Sequence, residues 1–339
     1  MIINFKTSPY KAVSFVESAI KKALDNAGYL IADIKYDGVR GNICVDNTAN
    51  SCWLSRVSKT IPALEHLNGY DKRWKRLLND DRCIFPDGFM LDGELMVKGV
   101  DFNTGSGLLR TKWLKQKNFM YTDCSEWGNY CKGKPFELDV KRLKVILYGI
   151  IPIHIVESGE DYGVQNLLMP YHVEAMRHLL IEYFPEIEWL IADTYEVYDM
   201  VSLGELFEAK RAEGHEGLIV KDPMGIYKRG KKSGWWKMKP ENEADGIIQG
   251  LVWGTQGLAN EGKVIGFEVL LESGRVVNAT NISRALMDEF TNTVNIEGRD
   301  FYNGHACQIS YMEETPDGSL RHPSFVMFRG TEDNPQEKI

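Results

Sequence analysis

The sequence lacks the features of several protein classes. Its six cysteines are widely spaced and form no Cys-x-x-Cys pair, so neither a disulfide framework nor a structural zinc site is expected. The N-terminal residues lack the basic region, apolar segment and cleavage site of a signal peptide. The longest apolar stretch, 145–156, is interrupted by Gly149, Pro152 and His154 and is too short to cross a bilayer. These absences predict a soluble cytoplasmic protein, acting in the host cytoplasm if the chain is viral.

An excess of positive charge is also lacking. The chain has 40 Lys and Arg against 48 Asp and Glu, a formal net charge of −8, whereas a general nucleic-acid binder needs clustered cations. The acidic residues are unevenly distributed, because residues 241–339 contain sixteen acidic and seven basic residues while the first 240 are nearly neutral. Net charge therefore does not exclude a nucleic-acid substrate for the N-terminal part.

The length and the periodicity of the sequence predict its organisation. With 339 residues, 43% of them hydrophobic, the chain can form about two domains with buried cores. A linker is predicted at Pro240–Glu243, followed by short strands and one helix that fit a small barrel; the alternative is one continuous α+β domain. The elements predicted before the linker are a helix at 10–27, a hairpin of strands 29–35 and 39–45, strands at 89–97, 144–150, 217–221 and 234–239, and helices at 171–184 and 201–213.

Two clusters of basic residues stand out in the nearly neutral part. They are 72–76 (KRWKR) and 228–232 (KRGKK), and the second is followed directly by SGWWK. Cations interleaved with aromatic residues favour contact with a nucleic-acid backbone and its bases. A solvated charged surface is the alternative for both clusters, and the neighbouring tryptophans favour the functional interpretation for the second.

The segment from Lys35 to Arg40, KYDGVR, is the first candidate for chemistry. Lys35 ends an apolar strand just before a tight turn, and a lysine amine is a nucleophile once it is neutral. Gly38 allows the backbone to approach a ligand closely, and Arg40 supplies a cation. Asp-Gly occurs five times in the chain, so the segment by itself also fits an ordinary hairpin turn.

Carboxylates and further lysines recur at strand positions along the chain. Glu94 lies in LDGEL and Glu216 begins EGLIVK, and both could bind a ribose hydroxyl and a hard cation such as Mg²⁺. Lys237 and Lys239 alternate in a predicted strand, so both side chains point to one face and could hold a phosphate. Together with Lys35, these residues suit nucleotidyl transfer.

The ordered set of motifs resembles that of the covalent nucleotidyltransferases, which comprise DNA ligases, RNA ligases and mRNA-capping guanylyltransferases. Lys-x-Asp-Gly-x-Arg, Asp-Gly-Glu, an aromatic-bearing strand, Glu-Gly-Leu-Ile-Val-Lys and Lys-x-Lys follow one another through the chain, which is most similar to the small ATP-dependent DNA ligases of bacteriophages. The resemblance implies an α+β fold. A nucleotidyltransferase (adenylation) domain of antiparallel sheets and flanking helices would span 1–240, and a small OB-fold β-barrel domain would span 241–339.

The resemblance also implies a mechanism and an ATP site. Lys35 would attack the α-phosphate of ATP to form lysyl-AMP, AMP would pass to the 5′-phosphate at a nick, and the 3′-hydroxyl would displace it. Only 34 residues precede Lys35, and neither the extra N-terminal domain nor the cysteine zinc site of NAD-dependent ligases is visible in the sequence, which favours ATP. The implied cofactor-binding residues are Asp33, Ile34, Lys35, Arg40, Arg56, Glu94, Tyr148, Lys237 and Lys239.

Individual roles follow from the same resemblance. Glu94 and Glu216 would bind Mg²⁺ or another divalent cation. Tyr148 would stack on adenine, although a tyrosine in an apolar strand can also be part of the core. Asp33 stands where the family often has a glutamate that recognises adenine.

The implied DNA-binding residues are Arg56, Lys231 and Lys232, of which Arg56 resembles the arginine that meets the nick phosphate. Arg321 and Arg329 lie near the position of a pyrophosphate-orienting Arg-x-Asp-Lys element whose lysine is absent here. The expected partner is nicked double-stranded DNA. The protein is expected to be a monomer and to have no membrane as a partner.

Two rival functions remain open from the sequence. An RNA ligase or a capping guanylyltransferase would use the same lysine chemistry. A noncatalytic OB-containing DNA-binding protein would use Lys35 only as a phosphate contact, but it would leave the two carboxylate motifs unexplained.

Overall fold

The computed structural model describes residues 3–113, 128–129, 135–239, 242–280, 282–311, 314, 317–320, 323–330 and 335. Contacts divide the chain into two compact units. The first contains residues 1–13 and 17–237, and the second contains residues 14–16 and 238–339. No helix among the described residues is long and apolar enough to cross a membrane.

Strands and helices alternate irregularly up to residue 238. The strands are β1 (Lys11–Ser14), β2 (Leu30–Lys35), β3 (Val39–Asp46), β4 (Asn50–Ser55), β5 (Gly69–Tyr70), β6 (Gly88–Val97), β7 (Gly128–Asn129), β8 (Glu137–Leu138), β9 (Leu143–Pro152), β10 (Tyr162–Gln165), β11 (Glu188–Ile191), β12 (Thr194–Val197), β13 (Gly217–Lys221), β14 (Ile226–Tyr227) and β15 (Lys231–Met238). The α-helices are α1 (Glu17–Ala27), α2 (Lys72–Leu78), α3 (Phe102–Arg110), α4 (Ile153–Ser158), α5 (Met169–Tyr183) and α6 (Met200–Ala212), and short 3₁₀ helices span Pro62–Leu67 and Val140–Arg142.

Two main sheets form the first unit. One has the strand order β1-β15-β13-β2-β12, and the other has the order β11-β9-β6-β3-β4-β5. All the pairs in the second sheet are antiparallel except β11 with β9. Its core includes the buried rings of Trp74, Phe89 and Trp189, and α5 packs against β9 and β11.

The predicted hairpin of residues 29–45 is wrong, although both of its strands are present. β2 pairs with β12 and β13, whereas β3 pairs with β4 and β6 in the other sheet. The segment after Lys35 therefore carries the chain from one sheet to the other. At Gly38 a Cβ atom would lie 2.7 Å from Glu94 Cγ and 2.8 Å from the carbonyl oxygen of Leu95, so glycine permits this crossing.

The helix predicted at 10–27 begins later than expected. Residues Lys11–Ser14 form β1, which joins β15 at the edge of the first sheet, and α1 begins at Glu17. The apolar residues Ala12, Val13 and Val16 fit the spacing of a continuous helix, but the pairing with β15 determines the conformation. Secondary structure here depends on a strand more than 200 residues away.

The second unit contains one five-stranded antiparallel sheet and one helix among its described residues. Its elements are β16 (Asn242–Trp253), β17 (Val264–Leu271), β18 (Val276–Ala279), α7 (Arg284–Glu297), β19 (Ala306–Tyr311) and β20 (Ser324–Phe328). The strand order is β18-β17-β16-β19-β20. Hydrogen bonds from Thr280 N–H to the Pro323 carbonyl and from Phe325 N–H to the Thr280 carbonyl connect the two edges. The sheet therefore curls around a core of aromatic rings centred on Phe267 and Phe290.

The predicted linker is only partly described. Pro240 and Glu241 lie outside the described residues, whereas Asn242 and Glu243 already belong to β16. The polar composition of this segment suggested a linker, but strand pairing with β19 begins at Asn242.

Candidate active site

Lys35 lies at the end of β2, beside Glu216. The Lys35 ammonium forms an ion pair with Glu216 Oε2, and each side chain is about one-fifth exposed, at 20% and 21%. The pairing of β2 with β13 places Gly217 directly opposite Lys35, which brings the preceding Glu216 next to the lysine. Two residues separated by 181 positions in the sequence thus meet at the ends of two paired strands.

Asp33 lies on the same face of β2, two residues before Lys35, because side chains alternate along a strand. Its two carboxylate oxygens are both occupied. Lys221 Nζ lies 2.5 Å from Oδ2, and the Thr194 hydroxyl donates to Oδ1 at 2.9 Å. The Lys221 ammonium also lies 4.0 Å from the centre of the Trp235 ring, which holds the lysine by a cation–π contact.

A pocket opens beside Asp33. Asp33 and Lys221 contribute its charged groups, and the aromatic rings of Tyr148 and Trp235 and several apolar side chains supply most of the remaining lining. Ile34 does not line this pocket, because side chains alternate along a strand and its buried side chain points to the face of β2 opposite Asp33. A ligand contact by Ile34 would therefore have to come from its backbone.

Arg40 is held by a buried carboxylate, Asp92. Its Nε and one terminal nitrogen donate to the two Asp92 oxygens, each at 2.7 Å. Asp92 also accepts hydrogen bonds from Asn42 Nδ2 at 3.0 Å and from the Tyr227 hydroxyl at 2.6 Å. Burial would lower the pKa of the guanidinium, but the adjacent Asp92 charge raises it overall. Arg40 is therefore a fixed cation in this site.

Glu94 lies beside Arg40 and is also buried, with an exposed fraction of 9%. β3 pairs with β6 so that Arg40 is opposite Glu94 and Asn42 is opposite Asp92, and the two carboxylates share one face of β6. Burial raises the pKa of Glu94 to about 7, against the opposing effects of Arg40 and Lys35. The Tyr148 hydroxyl donates to Glu94 Oε2 at 3.4 Å.

The ring of Tyr148 forms one side of the site. The Arg40 guanidinium carbon lies 4.7 Å from the centre of the Tyr148 ring, and the same tyrosine lines the pocket beside Asp33. The pairing of β6 with β9 skips Tyr148, and the register shifts at this point, between Asp92 and Gly93 of β6. Burial raises the pKa of its hydroxyl well above the ordinary value, so the hydroxyl remains a neutral donor.

Lys237 and Lys239 fall on different sides of the division between the units. Lys237 is in β15, where strand alternation places it on the same face as the pocket residue Trp235. Lys239 follows β15 and belongs to the second unit. Both lysines are half-buried.

Arg56 is exposed in the turn that follows β4. Its neighbours Ser55 and Lys59 pair by a hydrogen bond from Ser55 N–H to the Lys59 carbonyl at 2.7 Å. The turn is thus a short hairpin that presents the arginine to solvent.

The basic cluster at 228–232 contains residues with different surroundings. Lys231 and Lys232 are exposed, and Lys232 Nζ lies 2.9 Å from Asp161 Oδ1. Arg229, in contrast, is buried with an exposed fraction of 6% and donates to backbone carbonyls of residues 6–8 and Ile155. The interpretation of the whole cluster as a DNA-facing surface is therefore wrong for Arg229.

In the cluster at 72–76, Arg73 is bound within the fold. It forms ion pairs with Asp71 and Glu186, and its guanidinium carbon lies 4.4 Å from the centre of the Phe184 ring. Lys72 and Lys75 are exposed on α2.

The two arginines near the C-terminus are unequally described. Arg321 lies outside the described residues. Arg329 Nε lies 2.9 Å from Asp245 Oδ1 within the second unit, so its guanidinium is engaged by a carboxylate of its own barrel.

Several residues that organise the site were not singled out from the sequence. Asp92 and Tyr227 fix Arg40, and Lys221 and Thr194 fix Asp33. Strand alternation could have identified Asp92, which lies two positions before Glu94. Nothing in the local sequence around Thr194 indicates that its hydroxyl reaches Asp33.

Comparisons with known proteins cover the whole chain. A family model described as ATP dependent DNA ligase domain matches residues 9–239, and one described as DNA ligase C-terminal domain matches residues 240–299 and 296–329. The chain is 76% identical over 343 residues to the DNA ligase of Enterobacteria phage T3, with 99% of each chain covered. It is 74% identical over 360 residues to the DNA ligase of Escherichia phage T7, with 100% of each covered.

The solved structure of the ATP-dependent DNA ligase from bacteriophage T7 in complex with ATP has a similar fold. The match has a TM-score of 0.83 at 75% sequence identity and covers 96% of this chain and 100% of that chain. The predicted α+β fold, with antiparallel sheets and flanking helices followed by an OB-fold barrel, is confirmed by this likeness and by the architecture described above.

Proposed function

The chain belongs to the ATP-dependent DNA ligase family, and from that membership we propose that Lys35 carries AMP from ATP to the 5′-phosphate of a DNA nick. Nick sealing with ATP is the activity of the family that the matches identify. Neither the rival RNA ligase or capping function nor the noncatalytic DNA-binding function gains support from these matches. The assignment of individual residues rests on the geometry.

One observation carries the assignment of Lys35. Ile31 and Asp33 line the pocket from one face of β2, and Lys35 continues that face at the end of the strand. A nucleotide whose base occupies the pocket can therefore extend its phosphates toward the lysine. Tyr148 would lie against the base. The oxygens of Asp33, which Lys221 and Thr194 hold in place, can each accept a second hydrogen bond and would be acceptors for the amino group of the base.

The first step joins Lys35 Nζ to the α-phosphorus of ATP and breaks the bond to the oxygen that bridges the α- and β-phosphates. Pyrophosphate leaves, and the ammonium must lose a proton for its lone pair to form the new bond. The Glu216 carboxylate, as the ion-pair partner of Lys35, is the neighbouring acceptor. Arg40, held rigidly by Asp92, supplies positive charge without a need for reorganisation, and Lys237 and Lys239 would bind phosphate oxygens.

Glu94 and Glu216 are suited to a divalent cation such as Mg²⁺. No group of three or more His, Cys, Asp and Glu side chains among the described residues could hold a metal ion by itself. Mg²⁺ is commonly bound through one or two carboxylates together with substrate phosphates, and the two glutamates near Lys35 fit that pattern. The cation would neutralise charge on the phosphates of ATP.

The second and third steps transfer AMP to the nick and seal it. We propose that Arg56 meets the 5′-phosphate of the nick and that Lys231 and Lys232 contact the backbone of the duplex. Arg329, and Arg321 beyond the described residues, remain proposed contacts for the first step. We also propose that residues 1–240 and 241–339 act as two domains of a monomer in the host cytoplasm.

A nick-sealing assay tests the role of Lys35. The wild-type protein is expected to seal a labelled nicked duplex with ATP but not with GTP. Lys35→Ala is expected to fail with ATP and an ordinary nick but to seal a nick whose 5′-phosphate already carries AMP, because only the first two steps use the lysine. Sealing of the ordinary nick by Lys35→Ala would contradict the assignment. If Lys35→Ala seals neither substrate, the unfolding curves of the variant and of the wild-type protein show whether misfolding is the cause.

A further inference from the structure

The hairpin turn that carries Arg56 has an unusual residue at its third position. The Ser58 N–H donates to the Ser55 carbonyl at 2.8 Å, and the three-residue loop 56–58 closes between Ser55 and Lys59. Ser58 has a φ of 62°, which is the left-handed region. Three-residue hairpins commonly place glycine at this position, because other residues pay a steric penalty there.

The hydroxyl of Ser58 has a partner that explains the presence of serine. Thr7 donates its backbone N–H to Ser58 Oγ at 2.9 Å, and the two hydroxyls lie 3.1 Å apart. Thr7 is fully buried, with an exposed fraction of 0%. Glycine would fit the backbone of the turn better than serine but could not make this connection between the turn and the N-terminal segment.

The N-terminal segment is itself held in place by Arg229. This buried guanidinium donates to the carbonyl oxygens of three consecutive residues, 6–8, at 2.5–3.1 Å. Each of these carbonyls lies in or beside the Thr7 peptide groups, so Thr7 has little freedom to move. The anchor at the base of the Arg56 turn is therefore a rigid part of the first unit.

We infer that Thr7, through Ser58, is a positioning residue for Arg56 and so determines how well the protein recognises the 5′-phosphate of a nick. The inference rests on the proposed function of Arg56. Arg56 and Val57 are the exposed central residues of the turn, and their direction is determined by the backbone that Ser58 closes. Loss of the anchor leaves the arginine present but distributes it over more orientations, which weakens a charge-assisted contact that depends on geometry.

The decisive measurement compares two nicked duplexes that differ only in a 5′-phosphate or a 5′-hydroxyl. Each protein is first converted to its lysyl-AMP form, only the adenylated fraction is counted, and binding is measured without a divalent cation. The phosphate ratio is the dissociation constant for the 5′-hydroxyl duplex divided by that for the 5′-phosphate duplex. It measures recognition of the phosphate. A general structural defect weakens binding to both duplexes, whereas misplacement of Arg56 weakens binding only to the phosphorylated one.

Thr7→Val is the main variant, because it keeps the shape and the backbone N–H but removes the hydroxyl. We expect the phosphate ratio to fall by about threefold to tenfold, the range associated with one hydrogen bond, and Thr7→Ser to restore it. Thr48→Val is the matched control, since it removes a hydroxyl that donates to Asp46 in the turn at the other end of β4. The control is expected to have the wild-type ratio.

Ser58→Gly is the second variant and covers the case in which Thr7→Val does not fold. It preserves the left-handed backbone conformation, removes the hydroxyl, and is expected to lower the ratio in the same way. In an Arg56→Ala background neither change should have a further effect, because interacting residues are non-additive. An additive effect would overturn the inference.

The result with Arg56→Ala separates the inference from the proposed function. If Arg56→Ala keeps the wild-type ratio, the proposed contact of Arg56 with the nick phosphate is refuted. If Arg56→Ala lowers the ratio while Thr7→Val and Ser58→Gly do not, the role of Arg56 stands and the positioning role of Thr7 is refuted. Equal weakening of both duplexes by Thr7→Val would also refute it.

Discussion

The buried charge of Glu94 makes stability depend on pH, and Glu94→Gln should remove that dependence. The ordinary pKa of the carboxyl is 4.5, and burial raises it to about 7 in the folded protein. A carboxyl group whose folded-state pKa is raised costs no stability below its unfolded pKa. As the pH rises from the unfolded value through the folded value, the folded protein loses stability progressively. Since one pKa unit corresponds to about 1.36 kcal/mol, ionised Glu94 lowers the free energy of unfolding by about 3 kcal/mol.

Glutamine keeps the shape of the neutral acid and cannot ionise. The free energy of unfolding of Glu94→Gln should therefore exceed that of the wild-type protein by about 1 kcal/mol at pH 5 and by about 3 kcal/mol at pH 8. At pH 8 the same variant should be impaired in lysyl-AMP formation, because it lacks the carboxylate that we propose for the cation and the ribose. A more stable and less active protein is the expected combination.

Urea unfolding at a series of pH values measures this difference. Glu205→Gln is the matched control, because Glu205 is exposed on α6. The difference between its free energy of unfolding and that of the wild-type protein should not vary with pH. A Glu94→Gln protein whose stability relative to wild type is the same at pH 5 and pH 8 would refute the reasoning. A variant that is less stable than wild type at pH 8 would show that the attraction of Glu94 to the charges of Arg40 and Lys35 outweighs the cost of its burial.

Three further predictions concern the supports of the site and the DNA contacts. Tyr227→Phe should lower the free energy of unfolding by about 1–2 kcal/mol, because Asp92 loses a buried hydrogen bond, and should raise the KM for ATP; an unchanged KM would exclude a role in holding the site. Arg229→Met should cost about 3 kcal/mol or more in urea unfolding, because four backbone carbonyls lose a charged donor, the one of Thr7 in a buried position; wild-type stability would contradict its role as an anchor. Neutralising Lys231 and Lys232 should reduce the slope of log affinity for nicked DNA against log salt by about 1–2, and an unchanged slope would exclude these lysines from the DNA interface.

The positions of Lys35 and the two glutamates could be predicted because the relevant motifs are local. Each motif combines a strand pattern with a reactive or charged side chain within six residues, and the resemblance orders them. The supporting contacts could not be predicted in this way. Thr194 reaches Asp33 across 161 positions in the sequence, and no local pattern indicates which strands will become neighbours.

The wrong predictions have the same physical origin. The strands 29–35 and 39–45 have the spacing of a hairpin, but β2 pairs with the distant strands β12 and β13, whereas β3 pairs with β4, the next strand, and with β6. Arg229 has the sequence neighbours of a DNA-binding cluster, and its burial results from carbonyls of residues 6–8. The short strands and the single helix predicted after the linker are present in the second unit, because Gly, Asn and Asp separate short runs of apolar residues there.

The central claim is that Lys35 forms a covalent bond to AMP, and intact-protein mass measurement tests it most directly. The protein is first treated with pyrophosphate to remove AMP carried over from expression, and is then incubated with ATP and Mg²⁺. We predict that the mass increases by one AMP in the wild-type protein and that Lys35→Ala shows no increase. An unchanged mass of the wild-type protein, or an AMP adduct on Lys35→Ala, would contradict the account.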